Sequence, residues 1–167
     1  LKSELYPNIT GNSLINQIGF DIQAAAGSAV TGNLKIYVQN TSDVANNKST
    51  TWATAITGMT KVFDGTATVP NANGAYTVNL PSTFQYTDDN LYIAYEFAPT
   101  ATAPFAAVYY CNTSLSGGIK SGTGSTSPTT VSSSSFRPII VFGVVGLTEI
   151  KIKRISKFDS FKADEHI

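Results

Sequence analysis

The chain predicts an all-β fold, an antiparallel β-sandwich of jelly-roll type with about seven or eight strands, and three observations carry that reading. Apolar residues alternate with polar ones at period two along most of the 167 residues, which places one set of side chains in a core and the other in solvent. Turn-forming clusters separate the alternating runs. No long run of apolar residues at helical spacing competes with them.

Each element follows from that pattern. Leu14, Ile18, Phe20 and Ile22 alternate with Gln17, Gly19, Asp21 and Gln23, and Leu34, Ile36 and Val38 alternate with Lys35, Tyr37 and Gln39. A Gly- and Ala-rich connection joins the two runs, which read as two antiparallel strands. Thr31-Gly32-Asn33 reads as turn chemistry. Trp52, Ala55 and Ile56 share a face at helical spacing, so Trp52 to Ile56 is expected to form one short helical turn. Val62-Phe63 forms a strand ending at Asp64-Gly65, and Pro70 to Gly74 forms a turn. Tyr76, Val78 and Leu80 make a further strand, as do Leu91, Ile93, Tyr95 and Phe97 after the Asp88-Asp89-Asn90 turn. Phe105 to Cys111 and Ile139 to Val145 complete the set.

Two stretches differ from the rest. Asn112 to Ser135 is nearly all Ser, Thr and Gly, too poor in apolar area to order itself, and is expected to be a long mobile loop or hairpin tip. Residues 1–146 read as the sandwich domain, and 147–167 as a basic C-terminal extension. There Ile150 and Ile152 alternate as in a strand, and Ile155, Phe158 and Phe161 follow at three-residue spacing as in a short amphipathic helix. The extension reads as a docking segment, the start of a following segment, or the closing element of the domain.

Composition narrows the function classes. Charged residues make up 13% of the chain and balance at 11 against 11, so the broad basic field of a nucleic-acid-binding protein is missing. No apolar run approaches the ~20 residues of a spanning helix, so no membrane insertion is expected, and Leu1 opens directly into folded-type sequence, as in a mature or trimmed chain. His166 is the single histidine and lies next to the C-terminus, which argues against a Ser-His-Asp triad or a His-rich metal site in the core. The lone Cys111 reads as an inert thiol at a buried strand end. Acids in the β region stand singly on turns apart from Asp88-Asp89, an arrangement unsuited to paired-carboxylate glycoside cleavage. The chain therefore reads as noncatalytic, with no cofactor beyond possible calcium.

Candidate binding residues remain. Tyr37, Tyr92, Tyr110 and Trp52 are the aromatics expected to face outward or lie at a rim, where flat rings stack on sugars or anchor a partner; cross-strand packing on the outer face of a sheet is the competing explanation. Asp88, Asp89 and Asn90 offer hard oxygen ligands for calcium, against a plain turn cap. Arg137, before Pro138 at a strand start, is expected to pair with Glu96 or Asp64. Asn8, Asn40, Asn47 and Asn112 each open an Asn-x-Ser/Thr acceptor sequence.

The order Ser3-Glu4-Leu5-Tyr6-Pro7, Leu14-Ile15-Asn16-Gln17-Ile18-Gly19-Phe20, Leu34-Lys35-Ile36-Tyr37-Val38, Trp52, Thr60 to Gly65, Asp89 to Ile93 and Phe136-Arg137-Pro138 resembles a β-sandwich module of bacterial proteins exported by the type IX secretion system. The resemblance spans roughly residues 3 to 143 on short, degenerate motifs, and the tail after Gly146 departs from it. It implies an extracellular or cell-surface, adhesin-like module without catalytic residues. The expected function is binding or assembly with other surface proteins, glycans or further copies of itself. The alternative is a carbohydrate-binding module of a larger secreted enzyme, marked by a coplanar aromatic strip.

Overall fold

The computed structural model describes residues 1–5, 8–24, 27–87, 89–101, 108–123, 128–146 and 153–154. It is an all-β, sandwich-like arrangement of antiparallel sheets with two one-turn helices. The helices are α1 (Lys2–Leu5) and α2 (Trp52–Ala55). The long strands are β1 (Leu14–Ala24), β2 (Val30–Thr41), β3 (Thr60–Val69), β4 (Gly74–Gln85) and β5 (Asn90–Pro99). Shorter ones follow: β6 (Val108–Tyr109), β7 (Cys111–Asn112), β8 (Ile119–Ser121), β9 (Ser132–Ser134), β10 (Arg137–Pro138), β11 (Ile140–Val145) and β12 (Lys153–Arg154).

One sheet runs β12-β11-β1-β4 with β6 also on β1, and the opposing sheet runs β3-β2-β5. A single core forms between them from Ile15 and Ile18 of β1, Leu80 of β4 and Phe142 of β11 on one side, and Leu34, Ile36, Val38, Val62 and Ala67 on the other. Leu5, Ile9 and Tyr86 close it at one end. The first two expected strands are present but do not pair with each other, because β1 and β2 sit in opposite layers. Their apolar faces meet across the core instead of lying side by side.

Three details of the expected pattern are corrected by pairing. Leu14 was expected inward, yet it is 37% exposed while Ile15 is fully buried; a β-bulge between Ile15 and Gln17 inserts one residue and reverses the phase. Asp21, expected in solvent, is buried; its backbone N–H donates to the Ile139 carbonyl at 3.3 Å and its carbonyl accepts from the Tyr110 N–H at 3.0 Å, so flanking chain covers it. Thr31-Gly32-Asn33 and Asp64-Gly65 are not turns but lie within β2 and β3, the first opposite Thr66 to Thr68 and the second opposite Leu34 and Lys35. Glycine at 32 serves close approach, since a Cβ there would stand 2.5 Å from the Ala98 carbonyl. Gly74, by contrast, opens β4 at φ +113°, the conformation its Asn-Gly turn implied.

The Ser/Thr/Gly-rich stretch is more ordered than composition predicts. It contains the β8–β9 hairpin, and Thr51 bridges Thr130, with Trp52 N–H donating to the Thr129 carbonyl at 3.0 Å and Val131 N–H to the Thr50 carbonyl at 2.8 Å. Buried Val131 supplies an anchor, and backbone hydrogen bonds to the 50–52 segment supply the rest. Beyond Gly146, Lys153 and Arg154 pair antiparallel with Phe142 and Val141 of β11; the amphipathic helix expected at Ile155, Phe158 and Phe161, and Phe105 of the expected 105–111 strand, lie outside the described residues.

Candidate functional site

The two edges of the β3-β2-β5 sheet differ. β3 lies against β4 of the other sheet, whereas among the described residues β5 is paired with β2 alone. Along β5 runs a groove of about 1100 Å³ lined by every residue from Asn90 to Ala101. Its opposite walls are Ile139, Ile140 and Phe142 at β11, the hairpin residues Ile119 to Thr123, and Pro128 and Val131; Leu5, Glu4 and Arg137 line it too, as do Asp43 to Trp52 in part.

The phase of the β2–β5 ladder fixes which backbone groups face the groove. The Thr100 N–H donates to the Thr31 carbonyl at 2.9 Å, and the register is unbroken from Gly32↔Pro99 to Thr41↔Asn90. Hydrogen-bonded pairs alternate in an antiparallel ladder, so Asn90, Tyr92, Ala94, Glu96 and Ala98 bond to β2. The N–H and C=O groups of Leu91, Ile93, Tyr95 and Phe97 therefore point away from β2, and among the described residues no hydrogen bond reaches them. The side chains of these same four residues turn inward and pack on the core. Burial pushes the Tyr95 phenol up to about 12, and its ring meets Phe20 edge-on at 4.7 Å.

The outer face of β5 is held by a polar network. The Tyr92 hydroxyl lies 2.7 Å from Asp43 Oδ2 and 2.9 Å from the Ala45 carbonyl, and accepts the Asn47 N–H at 3.0 Å. Burial is the main cause raising the Tyr92 phenol, while the hydrogen bond from Tyr92 is the main cause holding Asp43 below the usual carboxylate range. Lys48 stands 5.0 Å over the Tyr92 ring and donates to Gln39 Oε1; burial lowers its ammonium. Lys120 donates to the Asn46 carbonyl at 2.8 Å. The 43–48 segment is thus stapled to β5 on one side and to β8 on the other.

Arg137 does not pair with Glu96 or Asp64. Those acids meet Lys35 at 3.5 Å and Lys61 at 2.5 Å, each a neighbour on the same sheet. Arg137 instead grips Glu4 through both guanidinium nitrogens, because α1 lies beside β10. Burial works to raise the Glu4 carboxyl, but hydrogen bonds from Arg137 and the Leu1 amino group outweigh it and leave the group below its usual value.

The four aromatics expected at a rim are not brought into one strip. Trp52 and Tyr92 line the groove. Tyr37 lies on the outer face of β2, with its ring 6.3 Å from Trp52 and 83° from coplanar. Tyr110 lies elsewhere: its backbone carbonyl accepts from the Ile139 N–H at 2.8 Å, and its N–H bonds Asp21. Of the calcium candidates, Asp88 lies outside the described residues. Asp89 Oδ1 accepts the Asn90 N–H at 2.8 Å, Asn90 Oδ1 accepts the Lys2 N–H at 2.6 Å, and the Tyr86 hydroxyl donates to the Asp89 carbonyl. The Asp89 contacts are local turn contacts, the Asn90 one ties the turn to α1, and among the described residues no three His, Cys, Asp or Glu side chains gather.

Cys111 is half-buried in β7, and burial raises its thiol. The side chains of Asn40, Asn47 and Asn112 are engaged with Gln85, Asp43 and Glu4 respectively. Sequence reading missed Glu4, Asp43, Lys48 and Lys120 as groove residues, since each stands alone in a polar stretch; the free edge of β5 has no sequence signal at all. Among the described residues no helix is long and apolar enough to cross a membrane. Comparison with protein-family models, with curated proteins and with solved structures finds no match to this chain.

Proposed function

We propose that this chain is a noncatalytic module of the bacterial cell surface that works by binding or assembly, and that the β5 groove is its binding site. The observation that carries the reading is the groove itself: an elongated, largely apolar trough beside β5, whose peptide groups facing away from β2 are bonded by no described residue. Such an edge is a template for adding chain, and folded proteins otherwise blunt or cover it. The acids lining it support the noncatalytic reading, because Glu4 is held by Arg137, Asp43 by Tyr92, and Glu96 by Lys35. Glu4 and Asp43 are both held below the usual carboxylate range, the opposite of the raised carboxyl that protonates a leaving group. Secretion by the type IX route and an extracellular setting rest on the sequence resemblance.

The carbohydrate-binding alternative draws on Trp52 and Tyr92 in the groove, but the near-perpendicular Tyr37 and Trp52 rings do not make a flat sugar platform. A panel of immobilised glycans and light scattering over a range of concentrations test the reading together. Self-association, or binding to surface proteins without turnover of glycosides or esters, is the expected result. Glycan binding abolished by Trp52→Ala would replace it with the carbohydrate-binding reading, and turnover would end both.

A further inference from the structure

We propose that the β5 groove is a strand-acceptor site, and that its occupant is the segment Leu147-Thr148-Glu149-Ile150-Lys151-Ile152-Lys153-Arg154 of a second copy of this chain. This rests on the binding-or-assembly reading and names the partner.

The shape of the site selects an extended polypeptide. Ten-residue β5 lines the groove from end to end, which at ~3.4 Å per residue is about 34 Å of trough. A compact small ligand would leave most of that length empty. The groove offers backbone donors and acceptors at alternate residues, at Leu91, Ile93, Tyr95 and Phe97, and side chains of those residues on the inner side. An added strand meets both demands at once. The layers also differ in extent: three strands face a sheet of five, so a strand beside β5 would lie under β11 and β12.

The chain itself supplies a matching strand. Twenty-one residues follow Gly146, and the two of them that are described already pair in antiparallel fashion with β11, whose Ile140 and Phe142 line the groove. Lys153 and Arg154 therefore take up strand pairing beside the groove. In an added strand alternate side chains go to opposite faces. Ile150 and Ile152 would join the inward apolar row, and Lys151 and Lys153 would reach the outer side, where Asp43 and Glu96 lie. The pattern of the segment fits the groove in both hydrophobicity and charge. A strand passed from one copy to the next closes as a reciprocal dimer or runs on as a chain of subunits.

The test uses the full chain in two measurements. Light scattering at increasing concentration is expected to show rising mass, and an excess of synthetic peptide of sequence 147–154 is expected to return the mass to that of one protomer. Amide exchange is expected to slow by at least about tenfold at Leu91, Ile93, Tyr95 and Phe97 when copies associate, and to change little at Tyr92, Ala94 and Glu96, already bonded to β2. The double substitution Ile150→Asp and Ile152→Asp, outside the described core, is expected to abolish association while leaving the fold intact. Slow exchange at the four residues in a monomer would overturn the proposal in favour of the chain's own tail or another segment filling the groove. Association indifferent to the peptide would overturn the strand site and leave the assembly reading standing. A chain that stays monomeric, with the four amides exchanging fast, and binds no surface partner would overturn both.

Discussion

β2 and β5 are neighbours in one sheet with the same alternation of apolar and polar residues, yet they meet opposite fates. In β2, Leu34, Ile36 and Val38 are buried beneath half-exposed Lys35, Tyr37 and Gln39, because strands flank it on both sides and the other sheet lies beneath. In β5, Leu91 through Phe97 are all only half-buried, on either face, because one flank is the groove. Alternation fixes which way a side chain points, whereas neighbours fix how much water it loses. Burial, and with it stability, follows from the second.

The sharpest way to break this comparison is to truncate the same residue type in both strands. Ile36→Ala removes a fully buried side chain at the centre of the core and is expected to cost about 2–5 kcal/mol in urea unfolding, while Ile93→Ala is expected to cost less than half as much. Equal losses would mean that the groove side is as well packed as the centre. Gly19→Ala probes β1, where a Cβ would stand 1.7 Å from the Tyr76 carbonyl oxygen; the backbone of β4 must move, at an expected ~1–3 kcal/mol or more, read as a lowered Tm.

At the groove's end, Arg137→Gln leaves Glu4 without its main partner and is expected to cost ~1–3 kcal/mol near neutral pH. The Glu4 carboxyl is lowered in the folded protein, so its contribution to stability is present above the unfolded carboxyl value near 4.5 and is lost as pH falls through the folded one. The variant is expected to flatten that acid limb of the unfolding curve; an unchanged limb would show that Glu4 owes its lowered value to other groups. The smallest effect is expected at Lys48→Ala on the outer face of β5, within ~0.5 kcal/mol in the same assay. A larger loss would show that the 43–48 staple, more than the sheet, holds β5 in place.

The period-two pattern and its turn punctuation made the all-β class and most long strands legible, because a strand's side-chain period is a local property. Register was less so. A single bulge moved Leu14 out and Ile15 in, and nothing near Asn16 announces it. Trp52's short helix was readable from spacing, but its edge-on contact with Tyr37 depends on where the 50–52 segment meets 129–131. Arg137 was recognised as a lone cation; its partner Glu4 lies 133 residues away in sequence, and nothing local to either residue links the two.

What the sequence by itself determined, then, is the local grammar of most strands, where alternation extends the chain and sets its apolar face, though not at Leu14, Asp21, Thr31 to Asn33 or Asp64-Gly65. Only the tertiary structure decided that β1 and β2 lie in opposite layers, that the Ser/Thr-rich stretch packs its hairpin against the 50–52 segment, and that a long groove runs along β5, whose far edge no described residue pairs. These depend on which strand lies beside which. That is a choice among distant segments with similar alternation, and it is settled by the total burial and hydrogen bonding of the whole assembly.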